Sequence, residues 1–163
     1  MASAPSEPDP WSLRLSPTLK AIRRKRRLSV VELARRMGLP RRTYSHFEAG
    51  KGAFKLDRVL AFAHATESDP YALMLGLVAE APALAVHLSD NKLLAAFVIL
   101  MRELDRDFGE DLSLIETSTG MSAFSAAIKI LAEAAVARRD SAARTWLETE
   151  LSKLATTGRQ QND

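Results

Sequence analysis

The 163-residue sequence contains no cysteine, which removes a disulfide framework, a thiolate zinc site and a cysteine nucleophile together. Histidine is scarce: His46, His64 and His87 are scattered, so a histidine-based metal site has little support. His64 sits among apolar residues as a surface or core side chain, and His87 has no assigned role. No uninterrupted apolar run approaches the roughly 20 residues of a membrane span; the longest, around residues 93–101, is far shorter. The first ten residues are acidic and Pro-rich, unlike a signal peptide. A Gly-rich phosphate loop, a Gly-x-Ser-x-Gly elbow and a spaced histidine–carboxylate pair are all missing. The expectation is a soluble cytoplasmic protein with no enzymatic activity, no cofactor, no metal and no membrane partner. Asp105, Asp107, Asp111 and Glu116 have partial calcium-loop spacing, but Gly109 falls one place early and Glu110 stands where the glycine belongs. That segment reads as a solvated helix end.

What is present is charge, unevenly spread. Residues 1–78 hold 14 Lys and Arg against 7 Asp and Glu, while residues 79–163 hold 9 against 13. All 14 of the former lie within residues 14–58, faced by only three acids, Glu32, Glu48 and Asp57. Such a basic half suits an anionic partner, and the mildly acidic half needs a different task.

The hydrophobic pattern is helical throughout, with no strand alternation. Residues 1–10 read as a disordered arm and 11–76 as short helices divided by tight turns, with Asp69 as an N-cap before Pro70. Residues 77–89 read as an Ala-rich connector. Residues 90–157 read as about three longer helices, and 158–163 as a frayed tail. The first long helix starts at Ser89 or Asp90 and aligns Leu93, Phe97, Met101, Leu104 and Phe108. The second covers 122–139, with Phe124, Ile128, Leu131 and Ala135. The third starts at Asp140 or Ser141 and carries Trp146, Leu147, Leu151 and Leu154.

The most informative stretch is 28–51. Ser29 followed by Glu32 is a capping box, and Leu33, Ala34 and Met37 form the apolar stripe of the helix it opens. Gly38 can take the positive φ that ends that helix, with Leu39 folding back onto the core. A second helix begins near Pro40 or Arg41. Tyr44 and Phe47 are its apolar positions, so Arg41, Arg42, Ser45 and His46 point away, and Gly50 stops it. Two short helices joined by a Gly-containing turn, the second with an arginine-bearing outer face, have the layout of a helix-turn-helix.

Here the chain resembles the Cro-type phage-repressor family, the XRE family of helix-turn-helix regulators, over residues 18–73. The resemblance rests on the Leu-Ser-x-x-Glu-Leu-Ala opening, the Met-Gly-Leu turn, the Phe-Glu-x-Gly-Lys exit and the 57–73 region. It implies an all-α fold, a five-helix domain followed by a helical dimerisation region, and binding to double-stranded DNA. It also implies that Arg41, Arg42, Ser45 and His46 reach base edges in the major groove, arginine suiting guanine. Ser29, Thr43 and Lys51 match backbone-contacting positions, and the basic run at 23–27, Arg24 and Arg26 in particular, suits phosphate. Glu48 and Arg23 occupy the positions of a structural ion pair. Val30 and Ala49 replace the family's usual glutamine and asparagine, and Pro40 lacks an N–H.

Proteins of this layout usually bind as twofold dimers. The Ala-rich C-terminal helices, with Phe97, Met101, Phe108, Phe124 and Trp146 as bulk, are the expected homodimer interface. The reading is a nucleoid-associated repressor on a palindromic operator. The alternatives are an activator touching RNA polymerase and an antitoxin-like module binding a partner protein.

Overall fold

The computed structural model describes residues 9–160, with side chains described through residue 149. Residues 1–8 of the expected arm and 161–163 of the expected tail lie outside the described residues, as do the side chains of Leu151 and Leu154. Among the described residues every regular element is helical: α1 (Pro10–Lys25), α2 (Val30–Arg36), α3 (Arg41–Glu48), α4 (Leu56–Ala65), α5 (Pro70–Val78), α6 (Pro82–Leu88), α7 (Leu93–Phe108), a 3₁₀ segment (Gly109–Leu114) and α8 (Thr117–Gln160). The chain divides into two compact units, Met1–Asp107 and Phe108–Asp163.

The core of the first unit follows from helical spacing. Leu15, Leu19 and Ile22 recur every three or four residues along α1 and are buried together with Leu33, Tyr44, Val59, Phe62, Leu73 and Leu77. Asp9 opens α1 by accepting from the Trp11 amide at 2.9 Å, and its other oxygen accepts from the Phe54 amide at 3.0 Å. The expected arm therefore ends before Asp9, because this carboxylate joins the helix start to a segment 45 residues away. Asp69 caps α5 as its spacing before Pro70 suggests.

The segment expected as a connector contains α6, which packs on α5 and α1 and buries Ala85. Pro82 stands in its first turn, where a missing amide costs nothing. Gly76 allows the approach: a Cβ built there would lie 2.5 Å from that of Ala85. The next helix starts at Leu93 rather than at Ser89 or Asp90. Ser89 closes α6, and Asn91 accepts from the Leu93 amide at 3.1 Å.

In the second unit, the two helices expected over 122–139 and from 140 onward are one continuous helix, α8. Asp140 and Ser141 cap a helix only where the chain turns, and no glycine or proline between 121 and 157 makes it turn. The Thr145 and Thr149 hydroxyls donate to the carbonyls four residues back, the pattern such residues take inside a helix. Residues 158–160, expected to be frayed, continue it. The expectation that no segment matches a membrane span also needs amending. Thr117–Thr149 contains an 18-residue window that is long and apolar enough to cross one by length and composition, because Ala, Ser and Thr there interrupt the apolar run and few residues are charged.

Candidate nucleic-acid interface

α2 and α3 are set by local signals. The Ser29 hydroxyl accepts from the Glu32 amide at 3.1 Å. The reciprocal half of the expected capping box is missing, because the Glu32 carboxylate is taken by Arg35 and Arg36 at 2.9 Å each. Those two guanidinium groups hold the Glu32 pKa down to about 2. Gly38 takes φ +64° after α2, and the Leu39 amide donates to the Ala34 carbonyl at 2.9 Å, which closes the turn.

On α3 the inner face is Tyr44 and Glu48, both buried, with Phe47 half-buried and edge-on to Tyr44 and Phe62. Arg41, Arg42 and His46 are exposed, and Thr43 and Ser45 are half-exposed. Pro40 is the N-cap, so its lack of an N–H removes only its own amide. Tyr44 is the first residue whose amide finds a helical acceptor, the Pro40 carbonyl at 3.0 Å. The amides of Arg41, Arg42 and Thr43 precede it and have no acceptor within the helix. This end of α3 thus combines two guanidinium groups with the positive pole of the helix, an arrangement suited to an anion.

One side chain locks α3 to α1. The Glu48 carboxylate accepts from Arg23 Nε at 2.6 Å, Arg23 Nη2 at 3.2 Å and the Tyr44 hydroxyl at 2.8 Å. Arg23 Nη1 also donates to the Leu28 carbonyl at 3.1 Å, and the Ser16 hydroxyl donates to the Glu48 backbone oxygen at 2.7 Å. Burial pushes the Tyr44 hydroxyl pKa far up, helped by Glu48, while the hydrogen bond to Glu48 raises that of Arg23. At the far end of α3, Gly50 has φ +71° and lies so close to α1 that a Cβ would stand 2.7 Å from the Ser12 carbonyl oxygen.

The basic run at 23–27 splits according to which way each side chain faces. Arg24 and Arg27 are exposed and make no polar side-chain contact among the described residues. Lys51 is exposed as well. Arg26 is engaged within the fold: Nε donates to the Thr66 carbonyl at 2.8 Å and Nη2 pairs with Asp90 at 2.6 Å. Lys25 pairs with the same carboxylate at 2.7 Å.

Residues 19–73 match the model of a helix-turn-helix family. These residues form a helix-turn-helix domain of the Cro-type, or XRE, family. The chain is thus a DNA-binding transcriptional regulator. No curated protein and no solved structure matches the chain. The family match ends at residue 73, so the rest of α5 and everything after it stand on the structure alone.

Of the residues expected at a dimer interface, Phe97 on α7 is exposed and Met101 half-buried. Phe108, Phe124 and Trp146, in the second unit, are exposed. Among the described residues no cluster of His, Asp and Glu could hold a metal ion. Sequence reasoning missed the tasks of Lys25, Arg26 and Asp90 in this helix-turn-helix unit. The sole hint was a lone acid at Asp90, 64 residues from Arg26.

Proposed function

We propose that the chain is a repressor that binds a palindromic operator as a homodimer. Arg41, Arg42, Ser45 and His46 read base edges in the major groove, and the guanidinium forks favour guanine O6 and N7. Arg24, Ser29, Thr43 and Lys51 contact phosphate. The Ser29 hydroxyl uses its oxygen to accept from Glu32 and keeps its proton for a phosphate oxygen. The observation that carries this reading is the division of α3: Tyr44 and Glu48 face the core, while Arg41, Arg42 and His46 are left to solvent. A core-facing Glu48 clamped by Arg23 holds that exposed face steady, which base reading requires.

The exposed apolar side chains of α7, the 3₁₀ segment and α8 support self-association, with Phe97, Met101, Phe108, Phe124 and Trp146 in the interface. Pairing two domains raises affinity and doubles the sequence read. Occupying a promoter then suffices for repression, and the site of action is the nucleoid in the cytoplasm.

Selection of bound duplexes from a random pool, followed by titration against the enriched sequence, tests this. The expected result is a twofold-symmetric site. Arg42→Ala is expected to weaken binding by about 1–3 kcal/mol and relax preference at one base pair. Equal binding to enriched and random duplexes at moderate salt would overturn it.

A further inference from the structure

One carboxylate caps two helices of the first unit. Asp69 Oδ1 accepts from the Tyr71 and Ala72 amides at the start of α5, at 2.9 and 3.4 Å. Its Oδ2 accepts from the Ala95 amide in the first turn of α7, at 2.9 Å. The residue is fully buried, and its own amide donates to the Ser89 carbonyl at 2.8 Å. Around it, Lys25 and Arg26 of the α1 end hold Asp90, and Lys92 Nζ donates to the Glu67 carbonyl at 2.9 Å. The turn between α6 and α7 is therefore pinned from three sides, and α7 leaves the DNA-binding unit in one fixed direction.

What α7 carries is unusual for a surface helix. Its first nine residues, 93–101, include no charge, and no residue of the helix is buried. Ile99 and Leu100 are 56% and 58% exposed. A helical stretch that is apolar all round is normally enclosed on more than one side. It is too short for a bilayer, since nine residues rise about 14 Å against a hydrocarbon core of about 30 Å. The stretch that follows mixes signs: Arg102, Glu103, Asp105, Arg106 and Asp107. A surface for nucleic acid or anionic lipid would be uniformly basic. A mixed segment is complementary to an antiparallel copy of itself, which sets its arginines against the other's acids.

We propose that α7 is the helix on which a second copy of this chain docks, and that the Asp69 joint fixes the distance between the two recognition helices. The half-site spacing that the protein accepts is then a property of a rigid body. This rests on the reading as a DNA-binding homodimer, and Asp69 acts in it as a positioning residue.

The test uses the full-length chain. Sedimentation compares the parent with Leu100→Glu and with Ile128→Glu on α8, which is 66% exposed. Leu100→Glu is expected to be monomeric and to bind an isolated half-site as tightly as the parent. The selected duplex is then rebuilt with its half-sites moved apart in single base-pair steps. The parent is expected to lose about 100-fold in affinity at half a helical turn from the best spacing, as avidity is lost. Asp69→Asn, whose single amide oxygen serves α5 or α7 but not both, is expected to flatten that profile to within about 10-fold. A Gly-Ser-Gly insertion between Lys92 and Leu93 leaves Asp69 and its α5 cap in place and is expected to do the same should Asp69→Asn unfold. A dimeric Leu100→Glu, a parent indifferent to spacing, or joint variants as selective as the parent each overturn the proposal. A dimer lost only through Ile128→Glu overturns it and leaves the homodimeric regulator standing. A parent that binds DNA as a monomer removes both.

Discussion

Replacing Glu48 by alanine removes three hydrogen bonds at once, from Arg23 Nε, Arg23 Nη2 and the Tyr44 hydroxyl. The side chains of Arg23 and Glu48 are 16% and 8% exposed, so this is a largely buried ion pair rather than a surface one. Breaking such a pair from one side costs about 3–5 kcal/mol, because a cation is left without its partner. Arg23 keeps the Leu28 carbonyl and some water, which puts the expected cost near the lower bound. The stranded Tyr44 hydroxyl, buried with no other acceptor among the described residues, adds about 1–3 kcal/mol. The expected total, about 4–6 kcal/mol, is a large part of the 5–15 kcal/mol that holds a typical domain folded. Glu48→Gln keeps the shape and one acceptor oxygen, so about 1–2 kcal/mol is expected there. Urea unfolding followed by circular dichroism reads both losses. A cycle with Tyr44→Phe should show a coupling of about 0.5–3 kcal/mol. DNA binding, measured where each variant is still folded, should fall less than stability does. Unchanged stability in Glu48→Gln together with abolished DNA binding would refute the assignment and move this carboxylate into the interface.

Other outcomes follow from the same geometry. Arg24→Ala should flatten the salt dependence of DNA binding by about one unit on any sequence, whereas Arg26→Ala should leave that slope alone and lower the urea midpoint, since Arg26 holds Thr66 and Asp90. Gly50→Ala forces a side chain into left-handed backbone, at about 1–2 kcal/mol, and drives it against the Ser12 carbonyl, so the domain should unfold at lower urea and α3 should bind DNA more weakly. Glu32, with a folded pKa of about 2 against an ordinary 4.5, favours the folded state above the ordinary value. That contribution fades as pH falls from about 4.5 toward 2. An NMR titration should find its carboxyl still ionised at pH 3, and Glu32→Gln should remove this part of the acid dependence.

Much of the helix-turn-helix was legible because its signals act within one turn of the chain. Ser29 finds the Glu32 amide three residues on, and Gly38 sits where the Leu39 amide must return to Ala34. The spacing of Tyr44 and Phe47 turns Arg41, Arg42 and His46 outward whatever lies behind them. The errors came from residues whose meaning depends on context. Asp140 and Ser141 are good caps, yet nothing nearby bends the chain, so they remain inside α8. Pro82 could have been read as a first-turn proline rather than as the mark of a connector.

Residue types and their periodicity were thus enough to establish an all-helical chain, a basic first half and the face of α3 that meets solvent. They could not sort the five consecutive cations at 23–27, because side chains about 100° apart on a helix gain different neighbours only once other elements pack against it. Packing gave Arg23 to Glu48 and Arg26 to Thr66 and Asp90, and left Arg24 and Arg27 in water. It also gave Asp69 a second helix to cap, 26 residues downstream. Hydrogen bonds and ion pairs act over about 3 Å, so groups distant along the chain acquire such roles only when folding has brought them together.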